Sequence, residues 1–171
     1  MTGSRLFALS AALLLCGTSC DSTDSTDPTA QSFTASLNGA NERPNAVTTP
    51  ATGSGTFSLS ADGNTLTWNV TTTGADNVIA AHIHVGGAQI AGPILLGLFA
   101  GTAASNPAIT GSITRATFAS PLGISYDALI SLMRSGDTYV NVHTDNGVAP
   151  ANTGPGDFPG GEIRGQISLV P

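Results

Sequence analysis

The sequence contains no lysine, and its whole basic complement is five arginines: Arg5, Arg43, Arg115, Arg134 and Arg164. Five scattered guanidiniums cannot track a phosphate backbone, which excludes nucleic acid as a partner. Charged residues are only 9% of the 171 and hydrophobic residues 40%, so the chain is not kept unfolded by its own charge. The only two cysteines, Cys16 and Cys20, lie in the first twenty residues. Cleavage before Cys20 therefore leaves a domain without an internal disulfide. Serine never occurs in a G-x-S-x-G elbow, and no carboxylate pair has a directed partner, so the common hydrolase arrangements are absent. Asp145-Asn146-Gly147 and Asp157 lack the spacing of an EF-hand and read as turn formers. Gly160, Gly161 and Gly165 form no phosphate cradle and read as backbone permissiveness and tight packing. Histidine is scarce too, limited to His82, His84 and His143.

Arg5 gives the N-terminus a positive start, and Leu6 to Leu15 is an apolar run too short to span a bilayer. Residues 1–20 read as a signal peptide. Gly17-Thr18-Ser19-Cys20 resembles a bacterial lipoprotein box, with Gly17 where a leucine is usual. Leu13-Leu14-Leu15-Cys16 is a poorer match, having no small residue at the cleavage position. The resemblance implies lipidation of Cys20, a membrane partner through that anchor, and a domain facing the periplasm or cell surface. Ordinary signal-peptide cleavage nearby is the alternative. Residues 21–32, DSTDSTDPTAQS, cannot bury apolar surface and are expected to be a flexible polar linker.

From Phe33 to the C-terminus short runs of period two are punctuated by turns. Phe33–Leu37, Gly55–Ser60 and Leu66–Val70 alternate apolar and polar, and Asp62-Gly63-Asn64 marks a hairpin turn between the last two. Further strands are expected over Ala80–Val85, Ile94–Phe99, Ile109–Phe118, Thr138–Val142 and Glu162–Val170. The spacing predicts an all-β Greek-key sandwich or barrel over residues 33–171. One short amphipathic helix is expected near residues 125–135. Ser125 is its cap, Asp127 lies in its first turn, Arg134 in its last, and Gly136 is its stop, with Leu129, Leu132 and Met133 as the buried stripe.

Alternation also assigns the histidines. Ile79, Ala81, Ile83 and Val85 would face the core, sending His82 and His84 together to the other face. Val140 and Val142 would face inward, leaving Tyr139, Asn141 and His143 outside. In the last strand Ile163, Gly165, Ile167 and Leu169 are inward, and Glu162, Arg164, Gln166 and Ser168 outward. An H-x-H pair on rigid backbone, joined by a third imidazole from another strand, suits copper or zinc. The same three residues also fit solvent-facing histidines bonded to loops. Glu162 and Arg164 fit a pair with each other or with Glu42, which Pro44 helps to keep out of a helix.

The motifs together resemble the CHRD domain family. They are Phe33-x-Ala35-x-Leu37, Asn41-Glu42-Arg43-Pro44, Gly53-x-Gly55-x-Phe57 and Ala81-His82-Ile83-His84. Gly92-Pro93, Tyr139-Val140-Asn141-Val142-His143-Thr144 and Gly160-Gly161-Glu162-Ile163-Arg164-Gly165-Gln166-Ile167 complete them. Arg43 stands where many members carry an apolar residue. The resemblance implies a β-sandwich and no settled activity. A fainter similarity is to copper/zinc superoxide dismutase, in which an H-x-H strand precedes a later histidine and a Gly-rich segment before an arginine. It implies copper ligation by His82, His84 and His143 and an anion-attracting or supporting role for Arg164, with Glu162 and Glu42 nearby. The bridging histidine, the zinc loop and the internal disulfide of that enzyme have no counterpart here. Three functions stay open: a copper-binding exported protein, an extracellular protein-interaction module without metal, and a superoxide dismutase-like enzyme.

Overall fold

The computed structural model describes residues 30–171, so the signal peptide, Cys20 and the linker up to residue 29 lie outside the described residues. Strand β1 spans Gln31–Asn38, beginning two residues before Phe33. Alternation puts Phe33, Ala35 and Leu37 in the core and leaves Ser32, Thr34 and Ser36 exposed. Strands β2 (Thr52–Leu59) and β3 (Thr65–Thr73) follow as a hairpin. Gly63 supplies the positive φ of 67° at its turn and donates its N–H to Ser60 O. Next come β4 (Val78–Val85), β5 (Ile94–Ala104), β6 (Ile109–Thr114) and helix α1 (Tyr126–Ser135). The chain closes with β7 (Thr138–Thr144), β8 (Ile163–Gln166) and β9 (Ser168–Leu169).

The strands form one antiparallel sheet in the order β5-β4-β7-β8-β1-β2-β3-β6, with β9 also pairing β1. Its end strands β5 and β6 lie against each other without pairing, so the sheet curls into a nearly closed barrel. Around that barrel β4, β5 and β6 follow in sequence, while β3 sits beside β6 and connects back to β4. That is a Greek-key order, as the strand spacing predicts.

Three of the departures from the alternation pattern have a local reason. A bulge between Val78 and Ala80 shifts the register of β4, so Val78 rather than Ile79 is fully buried. The run from Ile109 ends at Thr114, where the N–H groups of Thr117 and Phe118 turn back onto the Thr114 carbonyl. The last strand is interrupted at Ile167, whose N–H bonds to Thr138 O, and beyond the break Leu169 is 41% exposed rather than inward.

Helix α1 packs on the same apolar core as the strands. Tyr126, Leu129, Ile130 and Met133 are its buried residues, spaced i, i+3, i+4 and i+7. The stripe is therefore centred one residue away from the expected set, and Leu132 falls on its margin. Ser125 Oγ accepts the Ala128 N–H at 3.2 Å, and Gly136 ends the helix with φ 76°. Ser125→Ala is expected to cost about 1 kcal/mol in urea unfolding, through loss of this cap. A change within ~0.2 kcal/mol would show that the sheet alone holds the helix in place. Among the described residues, no helix is long and apolar enough to cross a membrane.

Candidate metal centre

Strands β4, β7 and β8 are neighbours, and their register sets the outward residues in rows. His84 lies beside Tyr139 and Tyr139 beside Gln166; His82 lies beside Asn141 and Asn141 beside Arg164. His143 falls in the next row, opposite Ala80, and so diagonal to His82.

This outer face is not at the surface, contrary to the simple alternation reading. Every residue of β7 is buried, Arg164 is 1% exposed and Glu162 is 0% exposed. Three loops cover it: residues 39–51, 86–93 and 145–162. Asn41 Nδ2 donates to Arg164 O, Gln166 Nε2 to Gly86 O, and Asn77 Nδ2 to Gly156 O. The barrel thus has an apolar core inside and a second, polar core between sheet and loops.

The three histidines meet in that polar core. One ring nitrogen from each lies within 4.8 Å of the others. Ring centroids are 4.8 Å apart for His82 and His143, 5.6 Å for His82 and His84, and 5.8 Å for His84 and His143. His84 Nδ1 lies 2.9 Å from Gly92 O, and His143 Nδ1 lies 3.0 Å from Pro159 O. A carbonyl only accepts, so each Nδ1 carries the proton and a neutral ring keeps its Nε2 lone pair free. Both Nε2 atoms, and Nδ1 of His82, are buried without a hydrogen-bond partner.

Burial lowers the pKa of all three, with His84 also bearing on His82. His143 is pushed down to about 4, its bond to Pro159 only partly opposing the loss of solvent. Neutral imidazoles, two of them with tautomers fixed by backbone carbonyls, are what a divalent or monovalent transition metal requires. Unfilled, the buried lone pairs of His84 and His143 carry a desolvation cost that no hydrogen bond in the protein offsets. The donor set therefore fits a metal. His82 is the half-buried member, and its partner across β5 is Gly97, which has no side chain to close that edge.

Behind the histidines sits a stack. Tyr139 lies nearly parallel to His84, with centroids 5.0 Å apart and 14° between planes. The Arg164 guanidinium lies over the other partner in this stack, its Cζ 3.4 Å from the Tyr139 centroid. Its Nη2 donates to Gly87 O at 2.9 Å. The Tyr139 hydroxyl accepts the Gly92 N–H at 2.9 Å and so steadies the residue whose carbonyl orients His84. Glu42 is buried near Arg164, with Oε2 accepting from Asn141 Nδ2 at 3.3 Å and Oε1 unpartnered. Burial pushes its pKa up to about 7, against the pull of Arg164, Asn141 and Arg43.

The model of the CHRD domain family matches residues 33–167. The chain belongs to the CHRD domain family. No curated protein matches it. In this CHRD domain the separate motifs converge on one place: Glu42, Gly92, Tyr139, Asn141 and the Gly160–Gln166 segment all surround the histidines. Two glycines are there because nothing larger fits. A Cβ on Gly92 would lie 1.6 Å from Val85 O, and one on Gly161, at φ 129°, 2.5 Å from the Asn141 carboxamide.

The sequence-derived site residues separate into groups. His82, His84 and His143 come together. Glu42 lies near enough to Arg164 to feel its charge, but the two form no ion pair. Glu162 does not pair with Arg164: its Oε1 accepts from Thr49 Oγ1, and its Oε2 from Thr144 Oγ1 and the Gly156 N–H. Among the described residues the one ion pair is Arg115 with Asp127, far from this face in sequence and exposed. Sequence reasoning gave no role to Tyr139, Asn141, or the carbonyls of Gly92 and Pro159. For the two side chains a signal was present, since both share the outward alternation of His143. The carbonyls have no sequence signature.

Proposed function

We propose that the chain is an exported protein, anchored to a membrane by lipid on Cys20, whose CHRD domain binds a transition metal through His82, His84 and His143. Copper is the favoured ion because imidazole suits it and because it stands highest among divalent first-row metals for such ligands. The observation that carries the reading is the convergence of His82, His84 and His143, one ring nitrogen of each lying within 4.8 Å of the others. A bound copper would supply one-electron redox chemistry or simple metal capture. The chain's own part is to hold two rings by Gly92 O and Pro159 O, keep all three neutral, and limit water.

The test is metal analysis and copper titration of the purified protein beside its single and triple His→Ala variants. About one copper per chain is expected, with affinity lowered about a hundredfold or more by any single substitution. Equal affinity in the triple variant would refute the reading.

A second reading is an extracytoplasmic protein-interaction module without metal. It draws on Ile90 and Val148, 58% and 66% exposed, on two of the loops that cover the histidine face. Under it the triple variant loses a partner or folds poorly, and metal makes no difference. The superoxide dismutase-like reading finds less support. Arg164 is 1% exposed and lies behind Tyr139, where it cannot draw an anion in from solvent. Activity of the copper-loaded protein above free-copper controls would revive it.

A further inference from the structure

We propose that the three-histidine centre selects monovalent copper over divalent ions, with Arg164 acting through Tyr139 as the positioning residue that sets this preference. The inference rests on the metal-binding reading above. It follows from the charges around the site. Among the described residues, the group that could hold an ion contains three histidines and no carboxylate or thiolate. Nothing in that ligand set neutralises a divalent charge, and His84 and His143 are each only 8% exposed, so water does little of it. Without a fourth side chain, a divalent ion that prefers four-coordination depends on a water entering at the His82 edge, whereas an ion content with three ligands does not.

The stack adds a fixed positive charge beside the site. Arg164 cannot lose its proton, and it contacts the Tyr139 ring that in turn lies against His84. The field of this guanidinium reaches His84 through that ring, whose centroid is 3.4 Å from Arg164 Cζ and 5.0 Å from the His84 centroid. The same field disfavours a second positive charge on a metal held by that ring. A unit charge roughly 10 Å from another, at an effective dielectric of ~20, changes an equilibrium by about tenfold. Two other charges face Arg164: Glu42, which partly offsets it, and Arg43, which adds to it. Tyr139 also fixes Gly92 by its hydroxyl, so the ring both transmits the field and holds the ligand in position.

The experiment compares affinities of the purified protein for Cu(I), Cu(II) and Zn(II), using chelator competition without oxygen for Cu(I), together with the reduction potential of the bound copper. Cu(I) is expected to bind at least about tenfold more tightly than either divalent ion. Arg164→Met should reduce the preference about tenfold and lower the potential by about 59 mV, whereas Arg164→Lys should keep most of both. Measured at pH 8, above the range in which Glu42 holds its proton, Glu42→Gln removes the counter-charge and should move the potential the opposite way. It also serves if Arg164→Met does not fold. Tighter binding of Cu(II) or Zn(II), or a potential that neither charge substitution moves, overturns the inference while leaving metal binding intact. Failure to bind any of the three ions overturns the metal-binding reading itself.

Discussion

Glu162→Ala is expected to lower the unfolding free energy by about 3–5 kcal/mol, because it strands two buried donors and a half-buried one at once. Thr49 Oγ1, Thr144 Oγ1 and the Gly156 N–H all end on this one carboxyl group, which is 0% exposed. Each comes from a different piece of the polar core: the loop after β1, the end of β7, and the loop before β8. Thr144 Oγ1 accepts in turn from the Phe158 N–H, one residue before the carbonyl that orients His143. Glu162 therefore acts on the histidines by anchoring the loops, not as a ligand. Glu162→Gln keeps the shape but turns an NH2 toward groups that are already donors, and should cost about half as much. Urea unfolding of the metal-free protein is the measurement. A loss below ~1 kcal/mol for the alanine variant would mean that the loops are held without it.

Much of this architecture could be read from alternation and turns. Phe33, Ala35 and Leu37 face inward, Asp62-Gly63 turns the hairpin, Ser125 and Gly136 bound the helix, and the histidines share a face. A period of two tells which face a side chain takes, but not what covers that face. Covering is decided by loops with no period, and so the burial of Arg164, Glu162, His84 and His143 was not legible. The bulge at Ile79 escaped for a related reason. It inserts a residue into a run of apolar side chains where either register looks acceptable. The pairing of Glu162 was misjudged because neighbours on one strand face, two residues apart, looked closer than Thr49, 113 positions away.

Glu42 gives the sharpest solution signature of the polar core. In the folded protein its carboxyl holds a proton up to about pH 7, against a usual value of 4.5, because burial outweighs the pull of Arg164 and Asn141. Between these two values the folded state binds more protons than the unfolded chain, so stability falls as pH rises through the window. The contribution is complete below pH 4.5 and lost above about 7, and a shift of this size corresponds to about 3 kcal/mol. His143 works in the opposite sense. Its folded value of about 4 lies below the usual 6.5, so the unfolded chain binds more protons and stability falls on acidification from 6.5 toward 4. In the wild-type protein the two slopes largely cancel between pH 4.5 and 6.5. Glu42→Gln removes one of them. Its stability relative to wild type is therefore expected to rise by about 3 kcal/mol between pH 4.5 and 8, with the metal-free variant left steeply acid-sensitive. Urea unfolding across that range, with a chelator present, measures both curves. If they run parallel, Glu42 titrates as an ordinary surface carboxylate, and Arg164 has a full-time counter-charge that would weaken its hold over the centre.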